Sequence, residues 1–303
     1  MSATLAPTVI EHDTREAWLE TRRTGIGGSD AAAILGYSKY RSPLELYCDK
    51  IGLTESSAAE TEHQEWGHRL EEPIARKYAE VSGRTITDLG DYTIHRSGEY
   101  PWMLATVDRL IEPKNLSPMG VLEIKTGAGW KYDDWAFEPP LGYQMQLQHN
   151  LIVTGHEWGA FAALFGGHQF LTYEVRLNVK FADLLIKEEQ AFMQRVINRD
   201  PPPVDASESS ARGLKALYPR PSGETVNLPG VAADWGDEIE ECKGRLKEIT
   251  EKKRELENLL KESIGEATFG LLPSGIRYSY KLQTTPEHVV PETSFRVLRR
   301  HNK

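Results

Sequence analysis

Residues 120–126, GVLEIKT, have the alternating pattern of a half-buried β-strand and carry two residues well suited to chemistry. Because side chains alternate across a strand, Glu123 and Lys125 point to the same face. The preceding segment 104–111, LATVDRLI, is also strand-like. A hairpin return between the two segments would place Asp108 beside Glu123, which gives an Asp-x₁₄-Glu-x-Lys arrangement.

Two neighbouring carboxylates, those of Asp108 and Glu123, are suited to share a hard divalent cation such as Mg²⁺. Such a cation compensates charge on a phosphate and lowers the pKa of a bound water, as phosphodiester hydrolysis requires. Lys125 would then orient or deprotonate that water. Taken alone, the Glu-x-Lys fragment also fits an exposed sheet face with a cross-strand ion pair.

Segment 66–80, WGHRLEEPIARKYAE, has helical periodicity, and a start near Arg69 would keep Pro73 in the first turn. Glu72 is placed to pair with an arginine one turn later and to stay in solvent. Glu71 lies beside the apolar face, where an acid needs a cation or a donor. It is therefore a candidate metal ligand, directly or through water; a role at the helix start is the alternative.

A second helix is predicted from residue 141 onward, and it carries three glutamines. Gln148 is expected on the buried side, where its amide would donate to a phosphate oxygen or a water; a polar helix surface is the alternative. Trp130 and Lys131, on the loop before this helix, and Gln146 within it are candidates for contact with DNA. Packing of the loop is the alternative for its aromatic residues.

Segment 21–36, TRRTGIGGSDAAAILG, predicts a glycine-rich turn leading into a helix with Ser29 as N-cap. Free amides at this turn, together with Arg22 or Arg23, would hold a terminal phosphate. The segment lacks the Gly-Lys-Ser/Thr ending of an ATP-binding loop. Simple helix capping is the alternative.

The composition excludes several classes of protein. A net charge of −9 argues against a generally basic DNA-coating surface, so nucleic-acid contact would be confined to a local groove. Two cysteines, Cys48 and Cys242, cannot build a disulfide framework, a Cys₄ zinc site or a four-cysteine cluster. No apolar run reaches the roughly 18 residues of a membrane span, and no secretion signal is evident, so a cytoplasmic location is expected.

The pattern of predicted elements indicates an α/β fold in which a mixed central sheet is flanked by helices. A nuclease core is expected over residues 1–205, closing at a proline-rich linker. Residues 206–303 form a C-terminal extension with an amphipathic helix over 234–262, a β-hairpin at 276–283 and a basic tail.

The ordered segments 21–36, 66–80, 104–111, 121–126 and 143–155 together resemble the YqaJ-type viral recombinase family, relatives of phage lambda exonuclease in the PD-(D/E)xK fold. The resemblance implies an exonuclease that uses Mg²⁺, or Mn²⁺ in its place. It would digest one strand of linear double-stranded DNA from 5′ to 3′ and leave a 3′ overhang for a single-strand-annealing protein. A homotrimer, encoded by a phage or prophage and acting in the bacterial cytoplasm, is also implied.

The resemblance also assigns roles to individual positions. Asp108, Glu123 and the backbone carbonyl of Ile124 correspond to metal ligands, Lys125 to the active-site lysine, Glu71 to the helix acid, Gln148 to the active-site glutamine, and Arg22 with Ser29 to the 5′-phosphate pocket. The spacing from Asp108 to Glu123 is longer than in lambda exonuclease, and Arg23 competes with Arg22 for the phosphate.

Two alternative functions remain at this point. The metal centre is shared across the fold and does not fix strand choice, so a structure- or end-dependent endonuclease is one alternative. A non-catalytic DNA-end-binding scaffold for recombination is the other. The joint presence of Asp108, Glu123 and Lys125 favours catalysis.

Overall fold

The computed structural model describes residues 6–54, 61–115, 117–285, 296 and 298–300. The chain forms two compact units, Met1–Tyr218 and Pro219–Lys303. The strands of the first unit are β1 (Thr8–Glu11), β2 (Ile26–Gly27), β3 (Ile86–Thr87), β4 (Thr93–Arg96), β5 (Met103–Ala105), β6 (Arg109–Ile111), β7 (Gly120–Gly127), β8 (Trp158–Phe165) and β9 (Gln169–Arg176). Its helices are α1 (Arg15–Arg23), α2 (Gly28–Ile34), α3 (Pro43–Lys50), α4 (Glu62–Ser82), α5 (Leu141–Thr154), α6 (Val179–Asn198) and α7 (Glu208–Leu217).

The larger sheet of the first unit has the strand order β3-β6-β7-β8-β9. Only β7 and β8 are parallel, and α5 provides the crossover that a parallel pair requires. Leu122 and Ile124 pack with Ile74 of α4 on one face, whereas Val121 packs with Leu147 of α5 on the other. The predicted mixed sheet flanked by helices is confirmed.

The first unit also contains a smaller sheet, with the strand order β1-β4-β5-β2. The segment expected to be one strand before β7 is divided, because β5 belongs to the smaller sheet and β6 to the larger. The chain crosses from one sheet to the other between Ala105 and Arg109. Asp108 therefore stands at the junction of the two sheets.

Helix α4 begins at Glu62, seven residues before the predicted start at Arg69. Thr61 caps it by accepting from the backbone N–H of Gln64 (3.3 Å), and Gln64 Oε1 accepts from the N–H of Thr61 (3.0 Å). This capping box stabilises the early start. Pro73 consequently lies inside the helix, on its exposed side, where solvent can hydrate the carbonyl that has no N–H partner.

The first unit extends to Tyr218, beyond the boundary expected at residue 205. The proline-rich segment leads into α7, which packs on α3. Arg212 Nε lies 2.7 Å from Glu45 Oε1, and the backbone N–H of Ser42 donates to Ser209 Oγ at 2.6 Å. A Cβ at Gly213 would lie 2.9 Å from the Leu44 side chain, so the close approach of the helices requires glycine. Small residues at these positions thus make α7 part of the core.

The second unit contains α8 (Ala232–Ile264) and an antiparallel hairpin of β10 (Phe269–Leu271) and β11 (Arg277–Ser279). The helix agrees with the prediction, and the hairpin takes its first strand from residues before the predicted segment. Much of the predicted basic tail lies outside the described residues. No helix in the described part of the chain is long and apolar enough to cross a membrane.

A buried ion pair joins α5 to α6. His149 Nδ1 lies 2.9 Å from Glu189 Oε1, and His149 Nε2 lies 2.9 Å from the carbonyl oxygen of Leu104; both side chains are fully buried. Burial lowers the His149 pKa, but Glu189 and the Leu104 carbonyl outweigh it, so the pKa is raised. Burial also raises the pKa of Glu189, against the effect of His149. Because the Leu104 carbonyl can only accept, Nε2 carries a proton and donates to it, while Nδ1 shares a proton with the Glu189 carboxylate.

Glu189→Ala is expected to lower the free energy of unfolding by about 3–5 kcal/mol, because it leaves the buried His149 without its partner. Glu188→Ala, at the neighbouring and more exposed position, is expected to change it by less than about 0.5 kcal/mol. Urea denaturation of the two variants measures the difference. Equal midpoints would show that the pair does not stabilise the fold.

Candidate active site

The hairpin of β6 and β7 brings together Asp108, Glu123 and Lys125. Arg109 pairs with Leu122 across the hairpin, which places Asp108 opposite Glu123. Asp108 Oδ2 accepts from the backbone N–H of Ile124 at 2.6 Å, and Lys125 Nζ lies 2.7 Å from Glu123 Oε1. The alternation predicted for GVLEIKT is therefore present, and the side chain of Glu123 is only 1% exposed.

Helix α5 holds the Glu123 carboxylate from the other side. Gln146 Nε2 donates to Oε1, and Asn150 Nδ2 donates to Oε2 at 3.1 Å. The two amides are four residues apart and so lie on one helical face. Their donation fixes both carboxylate oxygens of Glu123.

Gln148 does not reach this site, so its assignment as the active-site glutamine is corrected. Its Nε2 donates to the carbonyl of Arg176 (2.8 Å), and its Oε1 accepts from the N–H of Asn178 (2.8 Å). The reason is the geometry of the helix: Gln148 comes two residues after Gln146, so its side chain points about 200° away around the axis of α5. Gln148 is buried as expected, but it joins α5 to the segment between β9 and α6.

The two glutamines are expected to behave differently when replaced. Gln146→Ala should lower the rate of DNA digestion by about 10-fold or more, because Glu123 loses a donor that positions it. Gln148→Ala should keep the rate within a few-fold but lower the free energy of unfolding by about 1–3 kcal/mol, because buried backbone groups lose partners. Paired digestion assays and urea denaturation test this. The reverse pattern would assign the active-site amide to Gln148.

The cluster opens into a cavity of about 250 Å³. Its lining includes Arg22 and Ser29 as well as Glu71, Asp108 and Glu123. Burial, reinforced by the charge of Asp108, raises the pKa of Glu71 to about 7 and that of Glu123 to about 7. The carboxylates therefore create negative charge that a bound cation would relieve.

Lys125 lies against Glu123 inside the site, whereas Glu72 lies in solvent. Burial lowers the pKa of Lys125, but Glu123 and Asp108 outweigh it, so the pKa is raised and the amine stays charged. Glu72 instead pairs with Arg76 at 2.7 Å in solvent, as the helical spacing predicted.

The oxygen donors fit a hard divalent cation. Asp108 and Glu123 would hold it together with the carbonyl of Ile124, which lines the same cavity, and Glu71 would reach it through water. No group of three or more His, Cys, Asp or Glu side chains among the described residues forms a cage that could hold a metal ion. Mg²⁺ usually keeps several waters and takes further oxygens from substrate phosphates, so a few protein oxygens are enough to hold it.

The part of the cavity wall formed by Arg22 and Ser29 has the composition of an anion site. Arg22 Nη2 donates to Ser29 Oγ at 3.1 Å, and its guanidinium lies 4.6 Å from the ring centroid of Trp18. Arg23 turns away and donates to the carbonyl of Thr54 at 3.0 Å. Of the two arginines, Arg22 is therefore the one that lines the cavity.

Asp30 supports this wall from behind. Its Oδ2 accepts from the backbone N–H of Gly27 at 3.1 Å and lies 2.7 Å from Lys50 Nζ. Burial would raise its pKa, but Lys50 and Arg41 outweigh burial and lower the pKa to about 2. Because Asp30 takes the N–H of Gly27, the N-cap of α2 is Gly27; the expectation that Ser29 is the N-cap is wrong.

Two more cavities, of about 390 and 310 Å³, share wall residues with the catalytic cavity and extend it into a groove. The lysine and arginine side chains along the groove are Arg15, Arg22, Lys39, Arg109, Lys125 and Lys131. Lys131 lines the larger flanking cavity, and its Nζ lies 5.5 Å from the ring centroid of Trp130, which is 74% exposed. The groove thus presents basic side chains beside the carboxylates of the site, in a chain whose net charge is −9.

The fold is similar to that of the alkaline exonuclease LHK-Exo from Laribacter hongkongensis. The TM-score is 0.50 at 21% sequence identity, covering 67% of this chain and 99% of that chain. The structure of LHK-Exo in complex with dAMP gives 0.51 at 20% identity, with the same coverage. The class defined by the fold is therefore the α/β fold expected from the sequence, and it is shared with this alkaline exonuclease.

Sequence comparison identifies the family within that class. The profile of the YqaJ-like viral recombinase domain matches residues 17–157, which include every residue of the catalytic cavity. The uncharacterized protein YqaJ of Bacillus subtilis (strain 168) is 31% identical over 264 residues, 86% of this chain and 81% of that protein. The chain belongs to the YqaJ-like viral recombinase family.

Proposed function

We propose that this protein is a Mg²⁺-dependent exonuclease that degrades one strand of linear double-stranded DNA from 5′ to 3′. The observation that carries the proposal is the cavity itself. Buried Glu123, with the half-buried Asp108 and Lys125, lines the same cavity as a hydrogen-bonded arginine–serine pair. Groups suited to phosphodiester cleavage and a group suited to bind a phosphate thus share one cavity. Membership of a viral recombinase family and the likeness to a fold seen in an alkaline exonuclease support the assignment.

The residues divide the work between positioning and chemistry. Asp108 and Glu123 hold the metal, which when bound neutralises phosphate charge and makes a water more acidic. Mn²⁺ would substitute for Mg²⁺. Lys125 orients the attacking water and meets negative charge that develops on the phosphate. Gln146 and Asn150 keep the Glu123 carboxylate in a fixed orientation, so little reorganisation is needed during the reaction.

The arginine–serine pair sets the polarity of the enzyme. Arg22 and Ser29 bind the terminal 5′-phosphate, and the guanidinium is fixed by the ring of Trp18 beneath it. Anchoring the end in this way presents the first phosphodiester bond to the metal centre. The aromatic and basic side chains of the flanking cavity, including Trp130 and Lys131, contact the DNA beyond that bond.

The biological role follows from the product. Removal of one strand leaves a 3′ single-stranded overhang, which is the substrate of a single-strand-annealing protein of the same recombination system. We propose that the enzyme works as a homotrimer around its DNA in the bacterial cytoplasm, with a phage or prophage as the genetic source.

Strand-specific labelling tests the proposal. Linear duplexes labelled on one strand at either end are incubated with the protein in Mg²⁺, beside closed circular DNA. The proposal requires progressive loss from the 5′ end of each strand, intact circles and no reaction in EDTA. Cutting of closed circles would favour an endonuclease. Absence of cleavage with any divalent cation would favour a non-catalytic DNA-end-binding scaffold.

A further inference from the structure

The hairpin of β10 and β11 has one face that packs against α8 and one that does not. Because Phe269 pairs with Ser279, the odd-numbered side chains of both strands share one face and the even-numbered ones share the other. A Cβ at Gly270, on the even-numbered face, would lie 2.9 Å from the side chain of Ile264 near the end of α8. The odd-numbered face therefore points away from α8.

This outer face combines an aromatic ring with two cations. Its residues are Phe269, Leu271, Arg277, Ser279 and Lys281. The guanidinium carbon of Arg277 lies 4.6 Å from the ring centroid of Phe269, and Lys281 Nζ lies 5.0 Å from it. All three side chains are exposed, and the ring keeps 43% of its surface in solvent. Cation–π contacts at such an exposed position are weak, so a ligand can replace them.

The hairpin is also a local positive surface in an acidic chain. Residues 267–286 include Arg277 and Lys281 but contain no Asp or Glu, whereas the net charge of the whole chain is −9. The nearest acidic residues in the sequence are Glu266 and Glu287, on either side of this segment. A surface of this kind attracts a polyanion.

The aromatic ring indicates which polyanion fits the outer face. In single-stranded nucleic acid, unpaired bases offer flat faces that stack on aromatic side chains, while cations meet the phosphates between them. In a duplex, those base faces are covered by the neighbouring base pairs. An acidic protein segment would use the two cations but has no need of the ring. The combination therefore favours a single strand.

We propose that the outer face of the hairpin binds single-stranded DNA, with a base stacked on Phe269 and neighbouring phosphates held by Arg277 and Lys281. Binding there uses only residues of the second unit and requires no cleavage, so it does not depend on the proposed nuclease activity. Where that activity holds, the 3′ overhang that it leaves is a ligand of this kind. The C-terminal extension is then a binding element for the strand that is not digested.

Stacking is tested by two replacements of the ring. Full-length protein is titrated in EDTA into a fluorescent oligothymidylate and, separately, into a blunt duplex, so that both DNAs stay intact whether or not the protein is a nuclease. Phe269→Leu keeps an apolar side chain but removes the aromatic face, and it should weaken binding of the single strand about 10-fold. Phe269→Trp should bind it within about twofold of the native protein. Binding of the duplex should change by less than about twofold in both variants.

The two cations are tested with a matched pair of charge variants. Arg277→Ala combined with Lys281→Ala should weaken binding of the single strand and reduce the slope of log affinity against log salt concentration by about one. Lys247→Ala combined with Arg254→Ala removes the same charges from exposed positions of α8 and should leave both quantities near native values.

Two results would overturn the proposal. Native binding of the single strand by Phe269→Leu would mean that no base stacks on the ring, and a loss confined to the charge variant would then indicate a site for an acidic protein segment. Equal losses in the two charge variants would mean that the hairpin has no special role. A protein that shows the expected pattern but does not digest DNA would retain the hairpin site and reject only the nuclease activity.

Discussion

Lys125→Ala is expected to reduce Mg²⁺-dependent DNA digestion by about a thousandfold, close to what removal of a key electrostatic group costs in other enzymes. The amine is the charged group nearest to Glu123, 2.7 Å away, and it lines the cavity where the phosphate would lie. Without this amine, the attacking water loses the group that orients it, and the negative charge that develops on the phosphate loses a donor. Digestion of end-labelled linear duplex under single-turnover conditions measures the effect.

A matched control separates chemistry from loss of a surface charge. Lys77→Ala removes an exposed lysine from α4 that pairs with Glu80 at 3.2 Å, and it should leave the digestion rate within about twofold. Binding of Lys125→Ala to DNA ends, measured in parallel, shows whether the variant is folded. A folded Lys125→Ala protein that digests DNA within tenfold of the native rate would remove Lys125 from the mechanism.

Arg22→Ala is expected to abolish the preference for 5′-phosphorylated over 5′-hydroxyl ends. Charge-assisted hydrogen bonds to a phosphate contribute enough to change the ratio of initial rates by about 10- to 100-fold. The native protein should show that ratio and the variant a ratio near one. The same duplex, with and without its terminal phosphate, supplies the measurement.

Arg23→Ala is the matched control, because Arg23 is adjacent in sequence but donates to Thr54 on the other side of α1. It should keep the native ratio even if it affects stability. If Arg23→Ala lost the preference and Arg22→Ala kept it, the phosphate pocket would have to be reassigned. If neither variant changed the ratio, the enzyme would not recognise the phosphate through this wall.

The central part of the site could be predicted from sequence because it depends on local geometry. Alternation along β7 is enough to place Glu123 and Lys125 together, and a hairpin brings Asp108 to them. The division of the preceding segment between two sheets was not predictable in the same way. It depends on the strands with which β5 and β6 pair, and β2, which pairs with β5, is distant from it in sequence.

The active-site amides on α5 could not be assigned from sequence because helical periodicity fixes relative, not absolute, orientation. Gln148 lies among apolar residues, and its burial was correctly expected, but the buried surface of α5 faces more than one neighbour. Gln146 and Asn150 are four residues apart and so share a helical face, but Gln144 and Gln148 have the same spacing. The spacing alone therefore does not identify the amides that hold Glu123.

Two boundaries were missed for different reasons. The early start of α4 was encoded by Thr61 and Gln64, a capping box that the later Pro73 obscured. The docking of α7 depends on Ser209 and Gly213, small residues that also resemble a linker. Composition alone does not distinguish a flexible segment from a close helix contact.

The most direct test of the central claim is the dependence of DNA digestion on Mg²⁺ in the native protein and in Asp108→Asn. The substitution removes one carboxylate charge while keeping the size of the side chain. We expect the native protein to be inactive in EDTA, to recover with Mg²⁺ or Mn²⁺, and Asp108→Asn to stay inactive at every metal concentration while it still binds 5′-phosphorylated ends. Digestion by the native protein in EDTA, or a metal response of Asp108→Asn equal to the native one, would contradict a metal centre at Asp108 and Glu123.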